Sequence, residues 1–118
     1  MRILERLEQL YAIGGGAGAN RPHPSAAEDE AHELVAGWMR EARLEVSVDP
    51  HGNLLGRAAE RSDIWVGSHL DTVPQGGRFD GALGVVAGLE AVQSARCGLV
   101  VAFRGRSEER RVGKECRL

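Results

Sequence analysis

Residues Ile64 to Leu89 read IWVGSHLDTVPQGGRFDGALGVVAGL, and the architecture expected of the 118-residue chain follows from them. The apolar opening, Ile64-Trp65-Val66, predicts a buried strand, and the closing run of small apolar residues predicts a buried helix. Between them lie His69, Asp71 and Asp80. A strand, a glycine-bearing loop and a helix make the first two-thirds of a βαβ unit, and the apolar run from Gly98 to Phe103 supplies its second strand. Such crossovers are almost always right-handed, and open parallel sheets gather ligands beyond the carboxyl ends of their strands. His69 leaves the first strand at that edge, and Asp80 stands before a helix whose N-terminus faces the same edge. The two side chains are therefore expected to converge although eleven residues separate them. The fold class is α/β.

In extended chain, positions i and i+2 share a side, so His69 and Asp71 are expected to face one site together. A neutral imidazole is a common ligand for zinc and similar metals, and a carboxylate beside it fixes the tautomer and raises its basicity. Asp80 is the natural second carboxylate, since a helix start offers backbone N–H groups that hold it ionised and aimed. Against this stands the plainer alternative of a non-catalytic α/β fragment or binding module, in which His69 and Asp71 are loop residues and Asp80 is only a helix cap. Gly76, Gly77 and Gly81 allow a tight loop, while Gly84 and Gly88, four apart, leave a smooth helix face to press on a sheet.

Outward from this stretch, Met1 to Ile13 carries Ile3, Leu4, Leu7, Leu10 and Tyr11 at helical spacing and predicts an amphipathic helix. Gly14-Gly15-Gly16-Ala17-Gly18 ends it, and Pro22 and Pro24 prolong the loop. A phosphate cradle is not expected there, because no strand precedes the glycines and neither Gly-x-x-x-x-Gly-Lys nor a following apolar helix start is present. Nor does a nucleotide fit the central loop, whose acids would repel its phosphate. Ser25 with Glu28 reads as a capping box opening a helix from about Ala26 to Ala42. On that helix Asp29, His32 and Glu33 read as a solvated polar face rather than a metal site, adjacent residues pointing in different directions. Leu44 to Val48 alternates as a half-exposed strand, Asp49-Pro50-His51-Gly52 is a turn with His51 as a turn residue, and Asn53 to Arg57 begins the next strand. Arg61-Ser62-Asp63 is expected to turn the chain into the central strand.

The net charge of −2 gives no electrostatic case for nucleic acid or an anionic membrane, but its distribution is uneven. Residues 1–103 carry nine basic and fourteen acidic side chains, whereas residues 104–118 carry six and three. Cys97 and Cys116 fit neither a disulfide framework nor a C-x-x-C metal site, as in a reducing compartment. With no leader and no membrane-length apolar run, a cytoplasmic protein is expected.

GSHLDTVPQGGRFDGALGVVAGLE, together with the upstream HELVAGWMREARLEVSVDPHGNLLGR, resembles the aminoacylase and carboxypeptidase superfamily of co-catalytic metallohydrolases. Within it, the likeness is to the branch of N-carbamoyl-amino-acid hydrolases, allantoate amidohydrolases and β-ureidopropionases. The resemblance covers most of residues 1–103 and implies the N-terminal part of a zinc-peptidase-like catalytic domain, a mixed sheet with covering helices. It also implies two divalent metal ions, zinc or manganese, with His69 a ligand of one, Asp80 bridging both and Asp71 the catalytic partner that orients His69. The implied partner is a small-molecule amide, and the implied parent a homodimer through a domain absent here. The resemblance further calls for an acidic pair, general base and then ligand, shortly after a phenylalanine. This chain has Arg104-Gly105-Arg106-Ser107-Glu108-Glu109-Arg110-Arg111 there, so Glu108 and Glu109 arrive late and among cations that a dimetal site tolerates poorly. RSEERRVGKECRL is similar to a cloning-vector read-through, so residues 104–118 are expected to be foreign to the fold and the chain alone to be inactive.

Overall fold

The computed structural model describes residues 2–105, apart from the side chains of residues 60–62. In order along the chain come α1 (Arg2–Ala12), α2 (Ala26–Glu41), β1 (Glu45–Val48), β2 (Leu54–Arg57), β3 (Glu60–His69), α3 (Ala82–Ala95) and β4 (Cys97–Phe103). The strands form one sheet in the order β1-β2-β4-β3. Only β3 and β4 run parallel, and α3 connects them, which is the expected crossover unit; β1 and β2 add to β4 as an antiparallel hairpin. The hairpin turn is set by Asp49, whose Oδ1 accepts the N–H groups of His51 and Asn53, each at 2.9 Å.

Strand register shows where the helices lie. Gly56, Val100 and Val66 are successive cross-strand partners, so they project to one face of the sheet. A Cβ on Gly56 would stand 2.8 Å from Met39 Sδ of α2, and one on Gly88 of α3 would stand 2.8 Å from Val66 Cγ1. Both helices therefore press on that same face, at positions where a side chain would push them away. Gly84 gives the second such approach, 2.6 Å from Ser68 Cβ, as its four-residue spacing from Gly88 predicts. The core on this side joins Leu7 and Leu10 of α1, Val35 and Met39 of α2, Val85 and Leu89 of α3, and Val100 of β4. Full burial of a Leu or Val contributes about 1.5–3 kcal/mol each, enough to hold three short helices that would be marginal alone.

Three local expectations are corrected. Arg61-Ser62-Asp63 is strand, not turn; it belongs to β3, whose pairing with β4 is irregular between Glu60 and Trp65. Polar residues had pointed to a turn, but an irregularity in register accommodates them in extended chain. Second, β3 is not central among the described strands but lies at the sheet edge, and Ile64 and Trp65 are 62% and 63% exposed. An apolar triplet records a need for cover, not that the cover is present. Third, His32 is not on a solvated face: it is 5% exposed, buried with Ala31 and Val35 on the inner side of α2. Glu33 and Asp29 are exposed as expected.

Candidate metal centre at the sheet edge

β3 ends at His69 and β4 at Phe103, which are partners in the parallel ladder, so both strands deliver their last residues to one edge. The chain then returns through residues 70–81 to the first turn of α3 at the same edge. The helix cap is Gly81 rather than Asp80. Its φ of +76° and the space around it both call for glycine, since a Cβ would lie 2.5 Å from His69 Cε1. The missing side chain lets the imidazole rest over the helix start.

This brings together the three residues singled out from the sequence. His69 Nδ1 is 3.0 Å from the Asp71 carbonyl oxygen and 3.3 Å from Asp71 Oδ1. A carbonyl oxygen only accepts, so Nδ1 carries the proton and, in the neutral ring, Nε2 keeps its lone pair. That lone pair is on the side of Asp80, whose Oδ1 is 3.9 Å from Nε2. Asp71 is fully buried, and the Asp80 side chain is 48% exposed. The Asp71 side-chain hydrogen bond raises the His69 pKa above the ordinary imidazole value; burial opposes this, and the Asp71 carbonyl and the charges of Asp71 and Asp80 add to it.

The donors suit a divalent cation. The Nε2 to Oδ1 gap is too wide for a hydrogen bond, yet within the span of one ion held at roughly 2.0–2.2 Å by each ligand. One imidazole and one carboxylate are an incomplete set, and no cluster of three or more metal-binding side chains occurs among the described residues. Glu108 and Glu109 lie outside the described residues. An open cleft of about 550 Å³ beside Arg43, Ala58, Val92 and Arg96 lies at the other end of the sheet, where β4 begins, and has no part in this chemistry.

Several buried polar residues near this edge had no functional signal in the sequence. Glu28, taken as half of a capping box, does let its backbone N–H bond Ser25 Oγ at 3.1 Å. Its carboxylate, 1% exposed, binds His23 Nδ1 at 2.7 Å and the N–H of Gly105 at 3.2 Å. Arg104 reaches Asp29 at 2.7 Å and donates its backbone N–H to Asn53 Oδ1 at 2.9 Å. Arg21 and Thr72 are buried against the segment that holds Asp71. Arginine in a glycine- and proline-rich loop reads as surface, and nothing local in sequence reveals otherwise.

No protein-family model matches the sequence. Individual relatives do. An N-carbamoyl-L-amino acid amidohydrolase of Geobacillus stearothermophilus is 46% identical over 99 residues, 79% of this chain and 24% of that protein. Allantoate deiminase 1 of Glycine max is 38% identical over 98 residues, 76% of this chain and 20% of the relative. Among solved structures, a hydantoinase/carbamoylase family amidase from Burkholderia vietnamiensis matches with TM-score 0.83 and 32% identity, over 90% of this chain and 29% of that one. Another from Burkholderia ambifaria matches with TM-score 0.79 and 35% identity, over 87% and 29% respectively. The chain thus spans about a quarter of the length of the relatives it matches. By sequence and by fold it is homologous to part of the N-carbamoyl-L-amino acid amidohydrolases and allantoate deiminases, and its structural neighbours are hydantoinase/carbamoylase family amidases.

Proposed function

We propose that this chain is part of a metal-dependent amidohydrolase that cleaves linear amide or carbamoyl C–N bonds of N-carbamoyl amino acids or ureido acids. His69 Nε2 and the Asp80 carboxylate are the metal-holding groups, and Asp71 acts on His69 through Nδ1. The observation that supports this most directly is the placement of His69 between the two acids, one at each ring nitrogen. Two zinc or manganese ions are proposed for the complete enzyme; both metals accept such nitrogen and oxygen donors. A bound divalent ion supplies a water of lowered pKa and polarises the carbonyl oxygen to be attacked.

The residues of this chain have preparatory roles. Asp71 keeps the proton on Nδ1 so that Nε2 presents its lone pair, and Gly81 leaves room for the ring. Metal and proton compete for that lone pair, so metal uptake weakens as the medium is acidified through the raised His69 pKa. The general base is assigned to no described residue, residues 104–118 are proposed to be foreign to the parent, and the 118-residue chain alone is proposed to be inactive. The whole enzyme is proposed to be a cytoplasmic homodimer acting on a small molecule. No helix among the described residues is long and apolar enough to cross a membrane.

The test is a chain completed with its native continuation, assayed for release of the free amino acid from N-carbamoyl substrates and for bound metal. His69→Ala and Asp80→Ala are each expected to remove both activity and metal while leaving the fold intact. Metal content unchanged in both variants would overturn the assignment.

A further inference from the structure

We infer that Arg21 is a positioning residue for this site, holding Asp71 against His69 through the Leu70–Thr72 backbone. The inference takes the purpose of the site from the function proposed above, but its geometry stands alone. Arg21 is 1% exposed, and its guanidinium donates from Nε to the Leu70 carbonyl and from Nη1 to the Leu10 carbonyl at the end of α1, both at 2.7 Å. One rigid planar fork thereby ties a helix end to the residue between His69 and Asp71.

The backbone around Arg21 continues the clamp. Its N–H bonds Thr72 Oγ1 at 2.9 Å, and its carbonyl accepts the Thr72 N–H at 2.8 Å. Two residues back, Ala19 and Gly76 exchange both backbone hydrogen bonds at 3.0 and 2.8 Å, and Asn20 Oδ1 takes the Gln75 N–H at 2.8 Å. The glycine-rich segment, where no phosphate cradle was expected, is a strap on the loop carrying Asp71. Gly18 must be glycine for this, as its φ is +73° and a Cβ would stand 2.7 Å from Gln75 Cα.

Charge points the same way. Arg21 and Asp71 are both buried, and a buried cation calls for a counter-charge, the more so here because Arg21 Nη2 is buried without a hydrogen-bond partner. Burial lowers the Arg21 pKa while the Asp71 charge raises it, so the two side chains sense one another. A structural strap alone would need only the carbonyl bonds. The charge attraction between Arg21 and the acid at His69 Nδ1 adds to the hold that the guanidinium has on the Leu70 carbonyl.

The experiment uses the 118-residue chain labelled with ¹⁵N, and long-range ¹H–¹⁵N spectra of the histidine rings recorded above the pH at which His69 titrates. Signals of His69 are assigned by their loss in His69→Ala. The expected wild-type form is the Nδ1–H tautomer. Arg21→Met should shift the tautomer ratio toward Nε2–H by about fivefold or more, the equivalent of one net hydrogen bond. Arg21→Lys keeps the charge, cannot span both carbonyls, and should fall between. An unchanged ratio in folded Arg21→Met, or in Arg21→Lys if the methionine variant does not fold, overturns the inference. So does the wild-type chain alone if the Thr72 and Gly76 amides exchange with solvent at unprotected rates. Failure of the proposed hydrolase activity would leave the tautomer result untouched, which keeps the two claims separable.

Discussion

Lowering the pH from 7 to 5 should destabilise this protein through His32, and the size of the effect follows from its burial. Both ring nitrogens of His32 are buried without a hydrogen-bond partner, and its pKa is pushed down from 6.5 to about 4. Burial is the main cause; Arg104 and then His23 push the same way, against the attraction of Asp29 and Asp71. The unfolded chain therefore takes up a proton between these values that the folded chain refuses, so stability falls as pH drops through that window. The full depression of about 2.5 units corresponds to roughly 3 kcal/mol below pH 4, of which about 2 kcal/mol is lost between pH 7 and pH 5. Against a typical total of about 5–15 kcal/mol, that is readily measured. The assay is urea unfolding followed by tryptophan fluorescence, Trp38 being buried and Trp65 exposed in the fold. His69 acts in the opposite sense: its raised pKa contributes stability that is complete below the unfolded value and lost as pH rises through the folded one. Comparing wild type with His32→Leu at both pH values cancels His69 and the carboxylates, which the two proteins share. The leucine variant should lose about 2 kcal/mol less than wild type over the interval. Equal losses in the two proteins, within about 0.5 kcal/mol, would refute the reasoning.

Two further outcomes test the architecture of the edge. Gly81→Ala places a methyl group 2.5 Å from both Cε1 and the carbonyl oxygen of His69 at a φ of +76°. It should cost about 1–3 kcal/mol in urea unfolding and move the His69 ring resonances, whereas unmoved resonances would show that the ring does not rest there. Glu28→Gln keeps the shape but removes the charge that binds His23 and the Gly105 amide. A loss of about 1–3 kcal/mol with altered amide shifts at Arg104 and Gly105 is expected, and a silent substitution would mean that Glu28 only fills space.

The crossover was legible because its signals are local: an apolar run, glycines at fixed offsets and a second apolar run. The meeting of His69 with Asp80 was legible as well, since a parallel pair joined by a helix brings the strand ends and the helix start to one edge. Arg21, Glu28 and His32 were not. Arg21 meets Leu70 across 49 residues, and Glu28 meets Gly105 across 77, so neighbouring residues signal neither contact; Glu28 reads locally only as half of a capping box and His32 as part of a polar face. The strand at Arg61 to Asp63 was missed because its polar residues read as a turn, while the extended chain there falls in the irregular part of the β3–β4 ladder, between Glu60 and Trp65. Ile64 and Trp65 show what a piece of a family can disclose. They are apolar in sequence and exposed in the fold, on an edge strand of a chain that spans about a quarter of its relatives' length.

The residues that hold the edge suggest why it can form in so short a stretch. The loop after β3 is held by Arg21, and the exit from β4 is held by Glu28 and Asn53, which accept the backbone N–H groups of Gly105 and Arg104. Backbone donors are present whatever side chain follows, proline excepted, but Gly105 is required as glycine, since its φ is +69° and a Cβ would lie 2.9 Å from the His23 ring. His69 and Phe103 are ladder partners, and the exit is therefore aimed from the edge that carries Asp71 and Asp80. Side chains alternate across a strand, so the residue after Phe103 turns to the other face, where the Arg104 side chain meets Asp29 and the Gly105 N–H meets Glu28, both on α2. The exit from β4 is thus pinned to α2, as the loop after β3 is pinned to α1 through Arg21.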